Sequence, residues 1–226
     1  MNMVVLGCGK TGSLVAEVAR ERRHHVEVLN SSSNREGAGL SPEKLKATGV
    51  VIDFTTPQAV LGNILACARA GKNMVVGTTG WYGELPKVKQ VIEQAGTGLV
   101  YGANFSIGVN LFFDIARTSA AAMQYDYHGQ IFERHHAQKK DAPSGTASAI
   151  QKILQGASGK ELEITSFREG EVVGMHEIIL ESPSDRIYLC HDSKSRRGFA
   201  EGAVRAAEWI AGQKGLFDFK DVWREL

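Results

Sequence analysis

The chain has 226 residues, of which 43% are hydrophobic and 23% charged, and its formal net charge is +1. This balance is typical of a soluble globular protein, and the length suffices for one large domain or two small ones. The balance excludes the strongly basic surface that binds nucleic acid or an anionic membrane. Cys8, Cys67 and Cys190 are odd in number and far apart, so neither a disulfide framework nor a zinc site is expected. The first residues lack a basic segment before an apolar run, which predicts a cytoplasmic protein with reduced thiols and no signal peptide.

The first half of the chain alternates short apolar runs with amphipathic segments. Strands are predicted at 3–6, 26–29, 50–54, 73–76 and 99–101, and helices at 13–23, 57–70 and 85–94. A polar loop rich in serine and glycine is expected at 30–39. Strands that alternate with helices predict an α/β domain, in which a parallel sheet is covered on both faces.

After Asn110 the pattern changes. Helices are predicted at 111–123, 147–155 and 199–210, and strands at 129–133, 163–167, 171–180 and 186–191. Several of these strands alternate with period 2, which favours an α+β domain on an open, mixed and mostly antiparallel sheet. We expect residues 1–105, completed by 197–226, to form a dinucleotide-binding domain, and residues 106–196 to form a substrate-binding and assembly domain.

A glycine pattern follows the first predicted strand. Gly7, Gly9 and Gly12 match G-x-G-x-x-G at the start of a predicted helix. Such glycines allow a tight turn, close approach of the backbone to a pyrophosphate, and close packing of helix on strand. The predicted cofactor-binding residues of this loop are Gly7, Cys8, Gly9, Lys10, Thr11 and Gly12. The alternative is a glycine turn that binds no ligand.

The residue after the second predicted strand bears on the choice of dinucleotide. NAD-binding sites usually carry Asp or Glu here, where the carboxylate binds the ribose 2′-OH. This chain has Asn30, followed by three serines, Asn34 and Arg35. Without a carboxylate to repel a 2′-phosphate, and with a guanidinium nearby, the sequence favours NADPH or the use of both NADPH and NADH. The alternative is a polar loop whose arginine contacts nothing.

Two further segments lie at the carboxyl ends of predicted strands, where open α/β sheets bind ligands. Gly77, Thr78 and Thr79 follow the fourth strand and are placed to approach the nicotinamide end of a dinucleotide. Asn104 and Phe105 follow the fifth strand, and Phe105 is placed to pack near the ring. Either segment is equally consistent with a structural strand cap.

One stretch, ERHHAQKKDAPSGTA, places two histidines and two lysines before a Pro-Ser-Gly turn. Ser144 is placed to cap the following helix, which leaves the N–H groups of Gly145 and Thr146 and the Thr146 hydroxyl as a carboxylate-sized anion site. His135 and Lys139 precede it, and both side chains can move protons near neutral pH. The two would share a face if this stretch were helical. The pattern predicts a pocket for a small dicarboxylic acid that gains hydride on one atom and a proton on the next.

Other interpretations of these residues stay open. His135 and His136 are possible metal ligands, but neighbours in sequence project differently and no third His or Cys follows at a metal spacing, so no metal is predicted. Lys139 and Lys140 are consistent with a solvated pair, and His135 with a buried, hydrogen-bonded histidine. For the whole chain, the alternatives are a dehydrogenase of another small acid and a non-catalytic dinucleotide sensor.

A series of motifs in a fixed order points to a family. The glycine loop is followed by DFTTP, GTTG, NFSIGVN, ERHHAQKKDAPSGTA, REGEVVGMHEIIL and SRRGFAEGAVRAAEWI. In these motifs the chain resembles the 4-hydroxy-tetrahydrodipicolinate reductases, also called dihydrodipicolinate reductases, of the diaminopimelate route to lysine. The resemblance covers nearly the whole chain, and the stretch with the two histidines is its most specific part.

The resemblance implies a fold, a reaction and an assembly. It implies a Rossmann-type first domain, NADH or NADPH as hydride donor, a cyclic dicarboxylate as substrate, 2,3,4,5-tetrahydrodipicolinate as product, and a homotetramer assembled through the second domain. No nucleic acid or membrane partner is expected.

The resemblance also assigns roles to residues. It implies that His135 donates or accepts a proton and that Lys139 is the proton donor. The residues predicted to bind substrate are His136, Ser144, Gly145 and Thr146. It further implies that Gly77 to Thr79 line the cofactor site, together with Gly102, Ala103, Asn104 and Phe105.

Overall fold

The computed structural model describes residues 1–34, 37–159 and 161–226. This described part of the chain divides into two compact units. The first unit comprises Met1–Ile107 and Arg197–Leu226, and the second comprises Gly108–Arg196. The chain therefore leaves the first unit and later returns to it. No helix within the described ranges is both long enough and apolar enough to cross a membrane.

A parallel sheet forms the centre of the first unit. Its described strands are β1 (Asn2–Leu6), β2 (His25–Leu29), β3 (Val50–Asp53), β4 (Asn73–Val76), β5 (Gly98–Tyr101) and, after the second unit, β10 (Gly215–Asp218). They lie in the order β10-β5-β4-β3-β1-β2, and neighbouring strands are parallel. Because β1 lies between β2 and β3, the chain reverses direction across the sheet there. The carboxyl ends of β1 and β3 therefore form the crevice where open α/β sheets bind ligands.

Helices cover both faces of this sheet. They are α1 (Lys10–Glu21), α2 (Pro42–Ala47), α3 (Pro57–Arg69), α4 (Leu85–Ala95), α7 (Arg197–Ile210) and α8 (Phe219–Val222). Alternate strand residues such as Val5 and Ile52 pack with α1 and α7, whereas Val51 and Met74 pack with α3 and α4. These strands are buried on both faces, which is why they read as nearly continuous apolar runs. The predicted α/β architecture is confirmed.

Three described elements of the first unit lie outside the sequence predictions, namely β10, α2 and the short α8. Strand β10 is only four residues long and all four are half-buried, so it shows no alternation; it is recognised by its parallel pairing with β5. Helix α2 carries a signal that the sequence offers, since Ser41 accepts a hydrogen bond from the Lys44 N–H and Pro42 occupies the first position. Helix α1 begins at Lys10 rather than Ser13, inside the glycine pattern.

The second unit is built on a mixed sheet. Its described elements are α5 (Ile107–Ser119), which starts at the unit boundary, β6 (His128–His135), α6 (Gly145–Ser158), β7 (Ile164–Arg168), β8 (Met175–Glu181) and β9 (Arg186–Asp192). The strand order is β7-β6-β8-β9. β6 and β7 are parallel, whereas β8 is antiparallel to both β6 and β9. The predicted open mixed sheet is confirmed. The strand predicted from residue 171 begins only at Met175.

The two faces of this sheet differ in character. Ile131, Ile178 and Leu180 lie on the inner face and pack against buried residues of α5 and α6. On the opposite face, the Phe167 ring and the Tyr188 ring are exposed. The period-2 alternation of the strands therefore separates a packed apolar face from an outer face that carries exposed aromatic rings.

Candidate functional site

The glycine loop between β1 and α1 has a different steric constraint at each glycine. Gly7 has a φ of +98°, and a Cβ there would lie 2.2 Å from the Phe54 carbonyl oxygen, so only glycine fits. A Cβ on Gly12 would lie 2.1 Å from the Gly7 carbonyl oxygen, which shows how closely α1 approaches the loop. At Gly9 no atom of the described chain lies within 4 Å of the Cβ position. The backbone at Gly9 is therefore open to a close-approaching group.

A cleft of about 310 Å³ adjoins this loop at the carboxyl ends of β1, β3 and β4. It is lined by the glycine loop, by Phe54 and Thr55 after β3, and by Gly77 to Thr79 after β4. The fold thus brings two of the predicted cofactor segments together. Among the described side chains, none caps the start of α1, whose N–H groups lie at the cleft. An open glycine and an uncapped helix start fit the pyrophosphate of a dinucleotide.

The loops beside this cleft are held by a buried carboxylate that was not predicted from the sequence. Asp53, the last residue of β3, is fully buried. Its Oδ1 accepts hydrogen bonds from the Thr55 N–H at 2.9 Å, the Thr55 hydroxyl at 2.7 Å and the Thr78 hydroxyl at 2.7 Å. Its Oδ2 accepts from Asn63 Nδ2 at 2.8 Å. One carboxylate therefore ties the loop after β3 to the loop after β4 and to α3.

Thr78 and Thr79 consequently have different environments. Thr78 is buried, and its hydroxyl oxygen also accepts from the Thr55 N–H at 2.7 Å. Thr79 is exposed and lines the cleft. Thr78 acts as a structural strand cap, which was one of the two interpretations of this segment, while Thr79 stays available to a ligand.

The position after β2 is occupied by a self-contained turn. Asn30 Oδ1 accepts hydrogen bonds from the Ser32 N–H at 3.0 Å and the Ser33 N–H at 2.8 Å. The Ser33 hydroxyl accepts in return from the Asn30 N–H at 2.9 Å. The serine-rich turn is thus shaped by Asn30. Arg35, predicted to lie near a 2′-phosphate, is outside the described residues.

Two of the four residues predicted after β5 to contact the cofactor, Gly102 and Phe105, are buried. The Phe105 ring is 2% exposed and packs between Phe219, at 4.6 Å, and Phe54, at 6.1 Å, measured between ring centroids. Gly102 is also buried, and a Cβ there would come within 2.9 Å of the Phe219 Cβ. Ala103 is exposed and Asn104 half-buried. Within the first unit, Phe105 is a core residue that lies behind Phe54.

In the second unit, the position of the histidine pair follows from the end of β6. β6 runs through His135, and a turn follows in which the Lys139 N–H donates to the His136 carbonyl oxygen at 3.1 Å. The helical arrangement considered for His135 and Lys139 is therefore wrong, since extension of the strand by two residues beyond the prediction changes the geometry. His135 is buried, whereas His136 is half-buried.

The helix cap predicted at Ser144 is present, and the helix start that it caps is the predicted anion site. The Ser144 hydroxyl oxygen accepts a hydrogen bond from the Ala147 N–H at 3.2 Å and so caps the helix, which starts at Gly145. Gly145 is exposed and Thr146 half-buried. Because Ser144 satisfies the Ala147 N–H, the N–H groups of Gly145 and Thr146 remain at an open helix N-terminus with its positive dipole end.

A second buried carboxylate lies beneath this helix start. Glu133 is fully buried, and its Oε1 accepts from the Ser144 N–H at 3.1 Å, the Ser166 hydroxyl at 2.7 Å and Arg168 Nη2 at 2.7 Å. Its other oxygen, Oε2, lies 3.1 Å from His135 Nδ1. Glu133 therefore contacts both the predicted acid–base histidine and the backbone of the helix cap.

His176 completes this group from β8, where its partner across the antiparallel ladder is Glu133. His176 Nε2 lies 3.2 Å from the Ser144 Oγ, and its ring meets His135 edge-on at 5.2 Å between centroids. The Ser144 hydroxyl and His176 Nε2 are within hydrogen-bond distance, and the tautomer of His176 decides which of the two donates. Neither Glu133 nor His176 was predicted from the sequence, although the alternation of the strands with Ile131 and Ile178 places both on the inner face.

The burial of this group sets its protonation. Burial raises the pKa of Glu133, but hydrogen bonds from Ser144, Ser166 and Arg168 outweigh it and lower the pKa to about 2. Burial lowers the pKa of His176 to about 4, and the neighbouring His135 adds to this effect. Burial also lowers the pKa of His135, although the Glu133 carboxylate opposes the change. At neutral pH the group therefore consists of an ionised acid beside two neutral imidazoles.

Glu133, His135 and His176 also offer ligand atoms that lie within 4.8 Å of one another, a spacing that could hold a metal ion. The spacing along the chain offered no third ligand beside the histidine pair, but the fold brings one from another strand. However, the Arg168 guanidinium already contacts the same carboxylate at 2.7 Å and opposes a second cation. The geometry favours a hydrogen-bonded network over a metal centre.

Two charged side chains flank the histidine pair. Lys139 Nζ contacts both oxygens of Asp141, at 2.7 and 2.8 Å, and the hydrogen bond from Lys139 lowers the pKa of Asp141. Arg196 Nη2 lies 3.4 Å from His136 Nε2, so the guanidinium is the donor and the imidazole nitrogen the acceptor. Arg196 was not predicted from the sequence, because it is sixty residues away in the chain and meets His136 only through the fold.

Family models match both parts of the chain. The model described as dihydrodipicolinate reductase, N-terminus, matches residues 1–105, and the one described as dihydrodipicolinate reductase, C-terminus, matches residues 108–223. Together they cover nearly all of the sequence.

Individual relatives agree. The 4-hydroxy-tetrahydrodipicolinate reductase of Christiangramia forsetii is 37% identical over an alignment that covers 100% of this chain and 99% of that protein. The enzyme of the same name from Neisseria meningitidis is 36% identical over 79% of this chain and 73% of that protein. A dipicolinate-bound dihydrodipicolinate reductase from Paenisporosarcina sp. TG-14 shares the fold, with a TM-score of 0.81 at 23% identity and coverage of 98% and 99%.

These matches span both units and agree with the motifs that the sequence contains. The first unit is thereby a nicotinamide dinucleotide-binding domain. The chain belongs to the dihydrodipicolinate reductase family of oxidoreductases.

Proposed function

We propose that this chain reduces 4-hydroxy-2,3,4,5-tetrahydrodipicolinate, after loss of water, to 2,3,4,5-tetrahydrodipicolinate in diaminopimelate and lysine biosynthesis. The single observation that carries the proposal is the α6 N-terminus capped by Ser144, whose N–H is joined through Glu133 to His135. His135 precedes the turn that contains His136 and Lys139. An open helix start binds a carboxylate, and the neighbouring groups suit a second carboxylate and a proton transfer. A relative of full length, 37% identical, bears the corresponding name.

Each residue then has a task that its geometry suits. The N–H groups of Gly145 and Thr146 hold one carboxylate of the ring. Arg196 and the His136 that it contacts at 3.4 Å hold the substrate from the other side of the turn. These contacts fix the ring before reaction, so that proximity lowers the barrier.

The reaction is balanced by one reductant and one proton. Loss of water from the 4-hydroxy compound gives a conjugated imine. A nicotinamide dinucleotide held at the Gly7–Gly12 loop would supply the hydride that a ring carbon accepts. Lys139 donates a proton to the adjacent atom of the conjugated system, and solvent returns the proton to its amine. His135, buried and neutral, orients the groups around this transfer.

We propose NADPH as the preferred reductant, with NADH also accepted. Asn30 to Asn34 contain no carboxylate that would repel a 2′-phosphate, and the Ser31, Ser32 and Ser33 hydroxyls lie in the turn after β2. The open backbone at Gly9 suits the pyrophosphate of either dinucleotide.

We further propose a cytoplasmic homotetramer assembled through the outer face of the second unit's sheet. Phe132 and Phe167 stack on that face at 6.5 Å between centroids, Arg134 lies over the Phe167 ring at 4.6 Å, and Tyr188 is 57% exposed. Exposed aromatic and arginine side chains are enriched at the centres of protein interfaces. Light scattering after gel filtration tests this assembly, and a monomer at micromolar concentration would contradict it.

A coupled assay tests the reaction itself. Freshly made substrate is added to the chain with NADPH or with NADH, while absorbance at the reduced nicotinamide band is followed. We expect turnover with both dinucleotides and a higher kcat/KM with NADPH. Absence of turnover with this substrate would overturn the proposed reaction. Turnover with a 2-oxo acid and ammonia instead would favour an amino-acid dehydrogenase.

A further inference from the structure

The two oxygens of the Glu133 carboxylate have different neighbours. Oε1 accepts three hydrogen bonds, from the Ser144 N–H, the Ser166 hydroxyl and Arg168. Among the described residues, neither Glu133 Oε2 nor His135 Nδ1 has a hydrogen-bond partner, and both atoms are buried. These two atoms lie 3.1 Å apart. Because buried polar atoms are rarely left unpaired, each is the natural partner of the other.

The opposite side of the His135 ring faces a glycine. A Cβ added to Gly174, which precedes β8, would lie 3.0 Å from His135 Nε2 and 3.3 Å from its Cδ2. The φ of Gly174 is not in the left-handed range, so backbone conformation does not require glycine there. The absent side chain therefore leaves room at His135 Nε2, the ring nitrogen that Glu133 does not contact.

We propose that Glu133 is a positioning residue that fixes the tautomer of His135. It holds the proton on Nδ1 and leaves Nε2 unprotonated, as the working nitrogen through which His135 takes part in the proposed proton transfer. A carboxylate has no proton to donate at neutral pH, so its contact with Nδ1 is favourable only when Nδ1 carries the hydrogen. The same Glu133 also holds the backbone of Ser144, so one side chain sets both the imidazole and the helix end. The inference rests on the proposed function for its catalytic consequence, but not for the tautomer itself.

Other charged groups face His135 and act on its charge rather than on its tautomer. The ammonium of Lys139 and the guanidinium of Arg168 disfavour the imidazolium, whereas the carboxylates of Glu133 and Asp141 favour it. The neutral His176 ring packs edge-on against it. Burial dominates and lowers the pKa of His135, so the ring is neutral at pH 7 and its tautomer is the property that remains to be set.

Glu133→Gln is the variant that separates the effect on the His135 tautomer from the hold on the Ser144 backbone. The Ser144 N–H, the Ser166 hydroxyl and Arg168 are donors, so they keep the oxygen of the introduced amide on their side. The amide NH₂ must then face His135 Nδ1, which becomes an acceptor. We expect the proton of His135 to move from Nδ1 to Nε2. Glu169→Gln is the matched control, because that glutamate is exposed and pairs with Arg134 on the surface.

The experiment combines nitrogen-15 NMR of the histidine rings with steady-state kinetics on the full chain. In the wild type we expect the Nδ1–H tautomer at His135. In E133Q we expect the Nε2–H tautomer and a kcat lower by about 100-fold or more, with KM changed by less than about threefold because the helix cap stays held. E169Q retains the wild-type tautomer and a kcat within about twofold of wild type.

Several results would overturn the inference. An Nε2–H tautomer in the wild type does so without any variant, which keeps the test valid even if E133Q fails to fold. An unchanged kcat in E133Q also contradicts it. Gly174→Ala places a methyl group against Nε2 and is expected to lower kcat while the tautomer stays; an unchanged kcat there contradicts Nε2 as the working nitrogen. If the wild type shows no turnover at all, the proposed function fails, whereas the NMR result still decides the tautomer.

Discussion

In each unit a buried carboxylate lies near the start of a helix. The helix of the first unit follows the glycine loop, and that of the second is capped by Ser144. The two carboxylates have different surroundings. Asp53, near the start of α1, accepts from hydroxyl, amide and backbone donors. Glu133, below the start of α6, contacts a guanidinium and an imidazole. A carboxylate among neutral donors serves as a fixed anchor for loops. A carboxylate among titratable groups can also shape proton transfer, so we expect the chemistry of the proposed reaction to be set in the second unit.

The largest expected effect belongs to the second unit. Lys139→Ala removes the proposed proton donor and is expected to lower kcat by about 10²- to 10⁴-fold. Dinucleotide affinity, measured by fluorescence titration, is expected to stay within about twofold, because the glycine loop is untouched. Lys140→Ala is the control, since this neighbouring lysine is exposed. An equal loss of kcat in K139A and K140A would contradict the role of Lys139 as proton donor.

The next effect tests the first unit as a binding scaffold. Gly7→Ala forces a Cβ to within 2.2 Å of the Phe54 carbonyl oxygen at a φ of +98°, and is expected to lower the free energy of unfolding by about 3 kcal/mol or more. Gly9→Ala has open space, so its melting temperature is expected to match wild type while the dinucleotide dissociation constant rises about tenfold. Calorimetry measures both. Equal stability of the two variants would contradict these roles of the two glycines.

A third effect is a pH dependence of stability that arises at the Glu133 site and not at the Asp53 site. Burial lowers the pKa of His176 from the ordinary histidine value of 6.5 to about 4, so between these values the unfolded chain binds more protons than the folded chain. Stability is therefore complete above pH 6.5 and is lost as the pH falls towards 4, by roughly 3 kcal/mol from this group. His176→Gln is expected to flatten that part of the curve in denaturant titrations. His128→Gln, at an exposed strand end, is expected to leave it unchanged. A curve of the same slope in H176Q would contradict the assignment.

The smallest effect concerns the choice of dinucleotide. Asn30→Asp keeps an oxygen that accepts from the Ser32 and Ser33 N–H groups, so the turn is expected to persist. The added carboxylate repels a 2′-phosphate and binds a ribose 2′-OH. We expect the ratio of kcat/KM for NADPH over NADH to fall about tenfold, equivalent to about 1.4 kcal/mol. An unchanged ratio would place the selection elsewhere in the loop.

Much of the fold could be predicted from local patterns, because the central strands β1, β3, β4 and β5 of the first unit are buried on both faces and read as apolar runs. The helix cap at Ser144 was likewise predictable, since a cap is made within three residues. β10 was not, because its four half-buried residues give no period and its pairing partner β5 is more than a hundred residues away. Chain-local signals specify elements and caps, whereas pairing across long separations depends on the whole fold.

The candidate site shows the same limit. His135 and Lys139 were recognised as chemistry-bearing residues, but their geometry depended on where β6 ends. Glu133 and His176 face each other because β6 and β8 pair in one particular antiparallel register. A shift of that register by one residue would turn Glu133 to the outer face, so the network is specified by the apolar residues that fix the register. The spacing of residues along the chain does not predict that pairing.

The divided first unit has a consequence for biosynthesis. Residues 1–107 leave the ribosome long before α7 and β10, which supply part of the same core and the last strand of the same sheet. Until then the nascent chain exposes the β5 edge and the apolar surface that α7 later covers. Both surfaces promote aggregation or bind chaperones. A premature stop codon before residue 197 should therefore yield an insoluble fragment instead of a free nucleotide-binding domain.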